Sequence, residues 1–174
     1  PPPLRFNSKS KGGQMPRFIQ LTLEKRNVSC VARLLEEIAP KTCDAVWEAL
    51  PLGGDAVHAK YASNEVFTLL PPFAEKEPGL ENPTITPIPG DLLYFFFPPG
   101  CIVRPDVKEV ARREGVADLA IFYGRDNLLF SPRMGPVPGN RFAEVTENLE
   151  EMARACDNVW REGFADERLI FDRA

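Results

Sequence analysis

One histidine, His58, stands in the 174 residues, and the four cysteines (Cys30, Cys43, Cys101 and Cys156) form no C-x-x-C pair. A lone imidazole and scattered thiols supply neither a multi-histidine metal set, nor a thiolate zinc site, nor a disulfide framework, so no metal, no cofactor and reduced thiols are expected. H-E-x-x-H, G-x-S-x-G, Walker and G-x-G-x-x-G patterns are missing as well. Their absence removes the usual zinc-hydrolase, serine-hydrolase and nucleotide-binding readings. No apolar run is longer than the six residues from Leu92 to Phe97, far below the ~18 that cross a bilayer. With no secretory h-region near the first residue, the expectation is a cytoplasmic protein without a membrane partner.

Positive charge is also scarce. Lys and Arg number 21 against 25 Asp and Glu, and three of the cations (Arg5, Lys9, Lys11) lie in residues 1–14, which carry no acid. Taking those three from the net charge of −4 leaves the other 160 residues at −7. An acidic body lacks the cationic footprint that displaces counterions from phosphates, so nucleic acid is excluded as a partner. A small-molecule ligand is the partner expected.

What is present is turn chemistry and alternation. The 12 Gly and 18 Pro cut the chain into short segments, which argues against a helical bundle. Residues 1–14 show no period and read as an N-terminal extension, and residues 15–174 form one domain. Ile19, Leu21 and Leu23 alternate with polar neighbours, and similar short strands recur at 28–35, 56–61, 65–69, 84–86, 91–97, 119–123, 127–130, 141–145 and 167–171. The run LLYFFF lacks alternation, so both of its faces are expected to be covered. Cys43, Val46, Trp47 and Leu50 mark one amphipathic helix, and Leu149, Met152, Ala153, Cys156, Val159 and Trp160 mark a second. A shorter helix is expected between Pro105 and Gly115. A mainly β chain with two principal helices and this many short strands predicts a closed antiparallel β-barrel, because an open sheet would leave edges exposed.

Six short motifs carry a resemblance: APKTCDAVWEALPL, VHAKYASNEVF, ENPT, IPGDLLYF, IFYG and VPGNRFAEV, in that order. Together they resemble a bacterial family of uncharacterised cyclophilin-like proteins. The A-P-K-T helix start, Ala39 to Thr42, followed by a strand with His58, is similar to the early part of cyclophilins themselves. The resemblance implies a cyclophilin-like barrel and no settled activity, since sites and not folds carry function.

The residues then have to be weighed as chemistry. A three-residue loop at 62–64 would pair Tyr61 with Glu65 and His58 with Thr68. It would put His58 and Lys60 on one strand face and Ala59, Tyr61, Glu65 and Phe67 on the other. His58 and Glu65 are the candidate acid–base residues. His58, Lys60, Tyr61, Tyr123, Arg125 and Asn140 are candidate ligand-binding residues, forming with the Tyr123-Gly124-Arg125 turn a cationic exception in an acidic body that would hold a small polar or anionic organic molecule at a barrel mouth. Each has a plainer reading: a hydrogen-bonded structural His58, a solvated Arg125 and Glu65, a turn-capping Asn140, and Tyr94 in the core. An accessory subunit that self-associates as a homo-oligomer is the non-enzymatic alternative. Prolyl isomerisation is disfavoured, because Ala59 follows His58 where the resemblance expects the catalytic arginine, and the ammonium of Lys60 lacks the planar guanidinium fork. A protease-coupled peptide assay is expected to stay at the uncatalysed rate; ordinary cyclophilin-like acceleration would contradict it.

Overall fold

The computed structural model describes residues 15–62, 64–102 and 108–174. Strand β1 (Phe18–Leu23) buries Ile19, Leu21 and Leu23 and turns back into β2 (Val28–Leu34). Asn27 takes a φ of 52° in that turn, a conformation that Asn tolerates better than most residues. Helix α1 (Pro40–Ala49) follows, burying Thr42, Cys43 and Val46. Its N-cap residue, Ala39, offers no side-chain acceptor, and Pro40 has no N–H to satisfy. The next two amides donate to a distant carboxylate instead: Lys41 N and Thr42 N reach Glu81 at 3.1 and 2.8 Å, and Thr42 Oγ1 donates to it at 2.8 Å. Trp47 is half-buried, with the guanidinium groups of Arg17 and Arg173 lying 5.2 and 4.8 Å from its ring.

Strands β3 (Leu52–Asp55) and β4 (Val57–His58) come next, then β5 (Glu65–Leu70), β6 (Pro83–Thr84) and β7 (Asp91–Phe97). The expected strand at 56–61 therefore starts earlier and ends at His58. The reason lies in Gly53 and Gly54: a Cβ on Gly53 would meet Ile170 Cδ1 at 2.5 Å, and one on Gly54 would meet Thr68 Oγ1 at 2.6 Å. A residue pair without side chains lets β3 lie against two neighbours at once.

The remaining elements are α2 (Lys108–Arg113), β8 (Val116–Phe122), β9 (Phe130–Ser131), β10 (Gly135–Pro136), β11 (Gly139–Glu147), α3 (Leu149–Glu162) and β12 (Arg168–Arg173). The expected tail at 1–14 and the first residues of the helix expected from Pro105 lie outside the described residues. The expected strand at 127–130 is reduced to β9, because Asn127 instead fastens a turn: its Oδ1 accepts from Asn64 N, and its Nδ2 donates to Pro87 O and Gly124 O.

All the pairings are antiparallel, in the order β3-β12-β1-β2-β11-β7-β8-β5-β4, with β6 on β11 and a separate β9–β10 ladder. Two register shifts in β11 bend the strand as bulges do. The sheet curls far enough to bring Gly54 of β3 against Thr68 of β5, yet among the described residues no ladder joins the two ends. The expected closed barrel is thus an antiparallel sheet whose ends approach by packing and are not hydrogen-bonded.

The two longer helices cover the main core. From α3, Met152, Ala155, Cys156 and Val159 are buried, whereas Trp160, expected on that stripe, is 61% exposed. The run LLYFFF is buried on both faces over most of its length, and β8 is buried at all seven positions. Leu92, Tyr94, Leu119 and Ile121 face the main core, and Leu93, Phe95, Ala120 and Phe122 face a second apolar cluster with Leu129.

Replacing Glu81 with Ala is expected to cost about 1–2 kcal/mol by urea denaturation, the scale of a lost helix cap. Glu48→Ala, on the exposed side of the same helix, should stay within about 0.5 kcal/mol.

Candidate functional site

Strand pairing decides which candidates meet. His58 pairs with Val66 and Val57 with Phe67, and Ala59 N donates to Glu65 O. The expected pairs Tyr61–Glu65 and His58–Thr68 are therefore displaced by two residues. The connection runs from Lys60 to Asn64, longer than the three residues expected, so Lys60 and Tyr61 lie outside the strand and are exposed, Tyr61 by 71%. A two-residue shift preserves faces. His58 and Glu65 still lie on opposite sides of the sheet.

His58 is 7% exposed, and both ring nitrogens are engaged. Nδ1 lies 2.9 Å from Ala59 O, which only accepts, so Nδ1 carries the hydrogen and Nε2 accepts from the Tyr123 hydroxyl at 2.6 Å. The Trp160 ring packs on the imidazole, centroids 5.0 Å apart. Burial pushes the His58 pKa below its ordinary value, opposed by the bond to Ala59 and the charge of Asp157. Burial likewise pushes the Tyr123 hydroxyl up to about 12. His58, Lys60, Tyr61, Asn64, Tyr123 and Arg161 border a cavity of about 310 Å³.

Arg125 is exposed and borders neither this cavity nor the larger one below. Asn140 is buried with its amide fully used: Oδ1 accepts from Glu81 N and Asn82 N, and Nδ2 donates to Thr42 Oγ1 and Gly79 O. It ties the 79–82 loop to α1. Tyr94 sits in the core, its hydroxyl donating to Glu77 at 2.5 Å.

A larger cavity, about 510 Å³, opens on the other face of the sheet. Its walls are Phe67 and Leu69 of β5, Phe95 and Phe97 of β7, and Leu129, Phe130, Met134 and Val137 from the β9–β10 region. Phe95 and Phe97 stack, with centroids 5.9 Å apart. Gly139 makes room for Phe95, since a Cβ there would lie 2.4 Å from the ring. Two carboxyl side chains line this apolar space, Glu65 and Asp118, 7% and 6% exposed.

Glu65 pairs with Phe122 and Asp118 with Leu69, so the two stand at opposite ends of one row, about 13 Å apart along the strand at the usual rise. The Glu65 carboxyl has no hydrogen bond or ion pair among the described residues, and desolvation pushes its pKa up to about 8. Lys60, Tyr61 and Arg133, all exposed, border the mouth, with half-buried Cys101 beside them. Burial holds Cys30 and Cys43 near 12, so neither supplies a thiolate. Sequence reading paired Glu65 with Tyr61 and passed over Asp118. The available signal was an acid inside the otherwise apolar VADLAIF.

The charge state of His58 has a measurable consequence. The unfolded chain takes up a proton near pH 6.5 and the folded one only at lower pH, so this contribution to stability is whole above 6.5 and lost as pH falls. Urea titrations from pH 7.5 to 5 are expected to show a shallower stability loss for His58→Gln than for the parent. Equal slopes would contradict the buried neutral imidazole.

No curated protein sequence matches the chain. Among solved structures it is similar to that of McbB in complex with tryptophan, with a TM-score of 0.58 and 17% sequence identity over 89% of this chain. The match covers 44% of the McbB chain, so this chain spans less than half the length of that protein. At such identity the likeness is one of fold. Residues 21–171 match the family model described as Protein of unknown function (DUF3830), and the chain belongs to that family.

Proposed function

We propose that the chain binds a small organic molecule in the cavity between β5, β7, β8 and the β9–β10 loops, with the Glu65 carboxyl as the polar group that selects it. One observation carries this reading: Glu65 is almost wholly buried, borders a cavity of about 510 Å³, and makes no hydrogen bond or ion pair with a described residue. A buried carboxyl without a hydrogen bond costs stability. A ligand that completes the bond recovers part of that loss, and the volume and aromatic walls fit the usual dimensions of ligand sites.

The neighbouring His58 region supports the expected anion site less well. Its imidazole is committed to Ala59 and Tyr123, and Arg125 does not border the cavity there. Lys60 and Tyr61 border both spaces and belong to the proposed site as its rim. The cyclophilin-like character of the fold is part of the proposal, supported by the A-P-K-T start of α1 preceding the strand of His58.

Chemically, a carboxyl poised near pH 8 is mostly protonated at neutral pH and can donate a hydrogen bond or a proton. A panel of small aromatic probes observed by ligand-detected NMR is expected to bind the parent and to be displaced by Cys101→Trp at the mouth. Glu65→Gln should alter the ranking of the probes, and His58→Gln should leave it unchanged. Binding that depends on His58 and ignores Glu65 would overturn the assignment.

The same carboxyl sets a pH dependence of opposite sign to that of His58. The folded chain keeps the Glu65 proton up to about 8, against 4.5 for the unfolded chain, so stability falls as pH rises through that window. The gain from Glu65→Gln should grow from pH 5 to pH 8 in urea titrations; a gain that does not change with pH would contradict it.

A further inference from the structure

We infer that the Glu65 cavity takes organic carboxylates, a single carboxylate on an aromatic or similarly apolar body, with the charged head at the end of the cavity that Lys60 and Glu65 share. The inference rests on the reading of this cavity as the ligand site and names the class of molecule it takes.

The first observation is how that end is built. Ala59 N donates to Glu65 O, so the chain leaves β4 at Lys60 and returns beside the first residue of β5. Lys60, Tyr61 and Glu65 thus border the cavity from one short stretch, and the rings of Phe67, Phe95 and Phe97 continue the wall away from it. A molecule lying along this wall sets its polar head at one end and its apolar body against the rings. Asp118, the other acid on the wall, stands at the far end of the row and is already engaged.

The second observation is uncommitted positive charge. Arg17, Arg26, Arg33, Arg141 and Arg154 are all held in ion pairs. Lys60 and Arg133 are exposed at the mouth of the cavity, and neither makes an ion pair with a described residue. In a body of net charge −7, two free cations at one opening draw in an anion, and a guanidinium can hold a carboxylate through two parallel hydrogen bonds.

The third is the Glu65 carboxyl itself. With its pKa pushed up to about 8 by desolvation, it carries a proton at pH 7 and donates an O–H, for which an ionised carboxylate is the stronger kind of acceptor. The titratable groups that share the cavity with it are Asp118 on β8, Lys60 and Tyr61 after β4, Cys101, and Arg133 of the β9–β10 loop. Above pH 8 the empty site loses the Glu65 proton, and a carboxylate then binds only by taking one up. Its affinity should fall about tenfold between pH 7 and pH 9. An alcohol, which donates as readily as it accepts, should keep its affinity.

The test uses three probes with the same aromatic body: 3-phenylpropionate, 2-phenylethanol and phenethylamine. Each is titrated calorimetrically into the full chain at pH 7, and the first two again at pH 9. At pH 7 phenylpropionate is expected to bind at least about tenfold more tightly than the other two, and by pH 9 to lose about that factor. Replacing both Lys60 and Arg133 with Met should remove most of the preference and leave the alcohol unchanged, and Glu65→Gln should flatten the pH dependence. Cys101→Trp should block all three probes. If the alcohol or the amine binds as well as the carboxylate and Cys101→Trp still blocks it, the carboxylate class is wrong and the cavity reading stands. A carboxylate preference that survives the loss of both cations and does not change with pH also overturns the inference. If no probe binds, or if Cys101→Trp changes nothing, both the inference and the cavity reading fall.

Discussion

Strand β8 carries seven consecutive buried residues, so neither of its faces meets water. An antiparallel sheet can usually leave one face to solvent. Here β8 and its neighbours β7 and β5 cannot, and much of the rest answers that constraint. On one side lies the main core, with Leu119 and Ile121 facing Met152 and Val159 in the same cluster. On the other side the Asn127 turn and the β9–β10 ladder supply the cover, bringing Leu129 onto Phe122 and Ala120. Each fully buried side chain of that size contributes about 1.5–3 kcal/mol. The cover is incomplete beside Phe67 and Leu69 of β5 and Phe95 and Phe97 of β7, and the incomplete part is the cavity. Glu65 and Asp118 are buried because they occupy the outward row of strands that have no exposed face.

Part of this was legible in the chain. LLYFFF has no polar alternation, and its two-sided burial follows directly. The alternation of Ile19, Leu21 and Leu23 fixed β1, and the i, i+3, i+4 spacing located α1 and α3. What failed was local geometry that depends on distant partners. Gly53-Gly54 reads as the lead into a strand at 56–61; it lies inside a separate strand, β3, because β12 and β5 lie too close for side chains there. Trp160 fits the helical stripe by spacing, but α3 overhangs β4 at that point, and the ring rests on His58 at the surface. The expected closure of the barrel failed because, among the described residues, the β3–β5 seam is packing without a ladder.

The site was legible in its parity and not in its partners. Alternation put His58 opposite Glu65 on the sheet, and that relation survived a two-residue error in register. Alternation gives no indication of what covers each face. The conspicuous residue, a unique histidine, is satisfied by Ala59 and Tyr123, whereas the inconspicuous Glu65 lies beneath aromatic rings. Asn140 had the same fate as His58, its amide consumed by the loop that also brings Glu81 to the start of α1. Exposed cations such as Arg125 were given weight that only a wall of surrounding atoms could justify.

The account turns on the protonation state of one side chain. Desolvation beside β5, β7 and β8 pushes the Glu65 pKa up to about 8, and the proposed ligand site depends on that buried carboxyl. Carboxyl carbon chemical shifts of a glutamate-labelled sample, followed from pH 3 to 9 with Glu65→Gln to assign the resonance, measure it directly. A midpoint near 8 is predicted, far above that of an ordinary exposed glutamate at about 4.3. A Glu65 resonance that titrates in that ordinary range would show the carboxyl to be hydrated, and the cavity would lose the group that gives it a ligand.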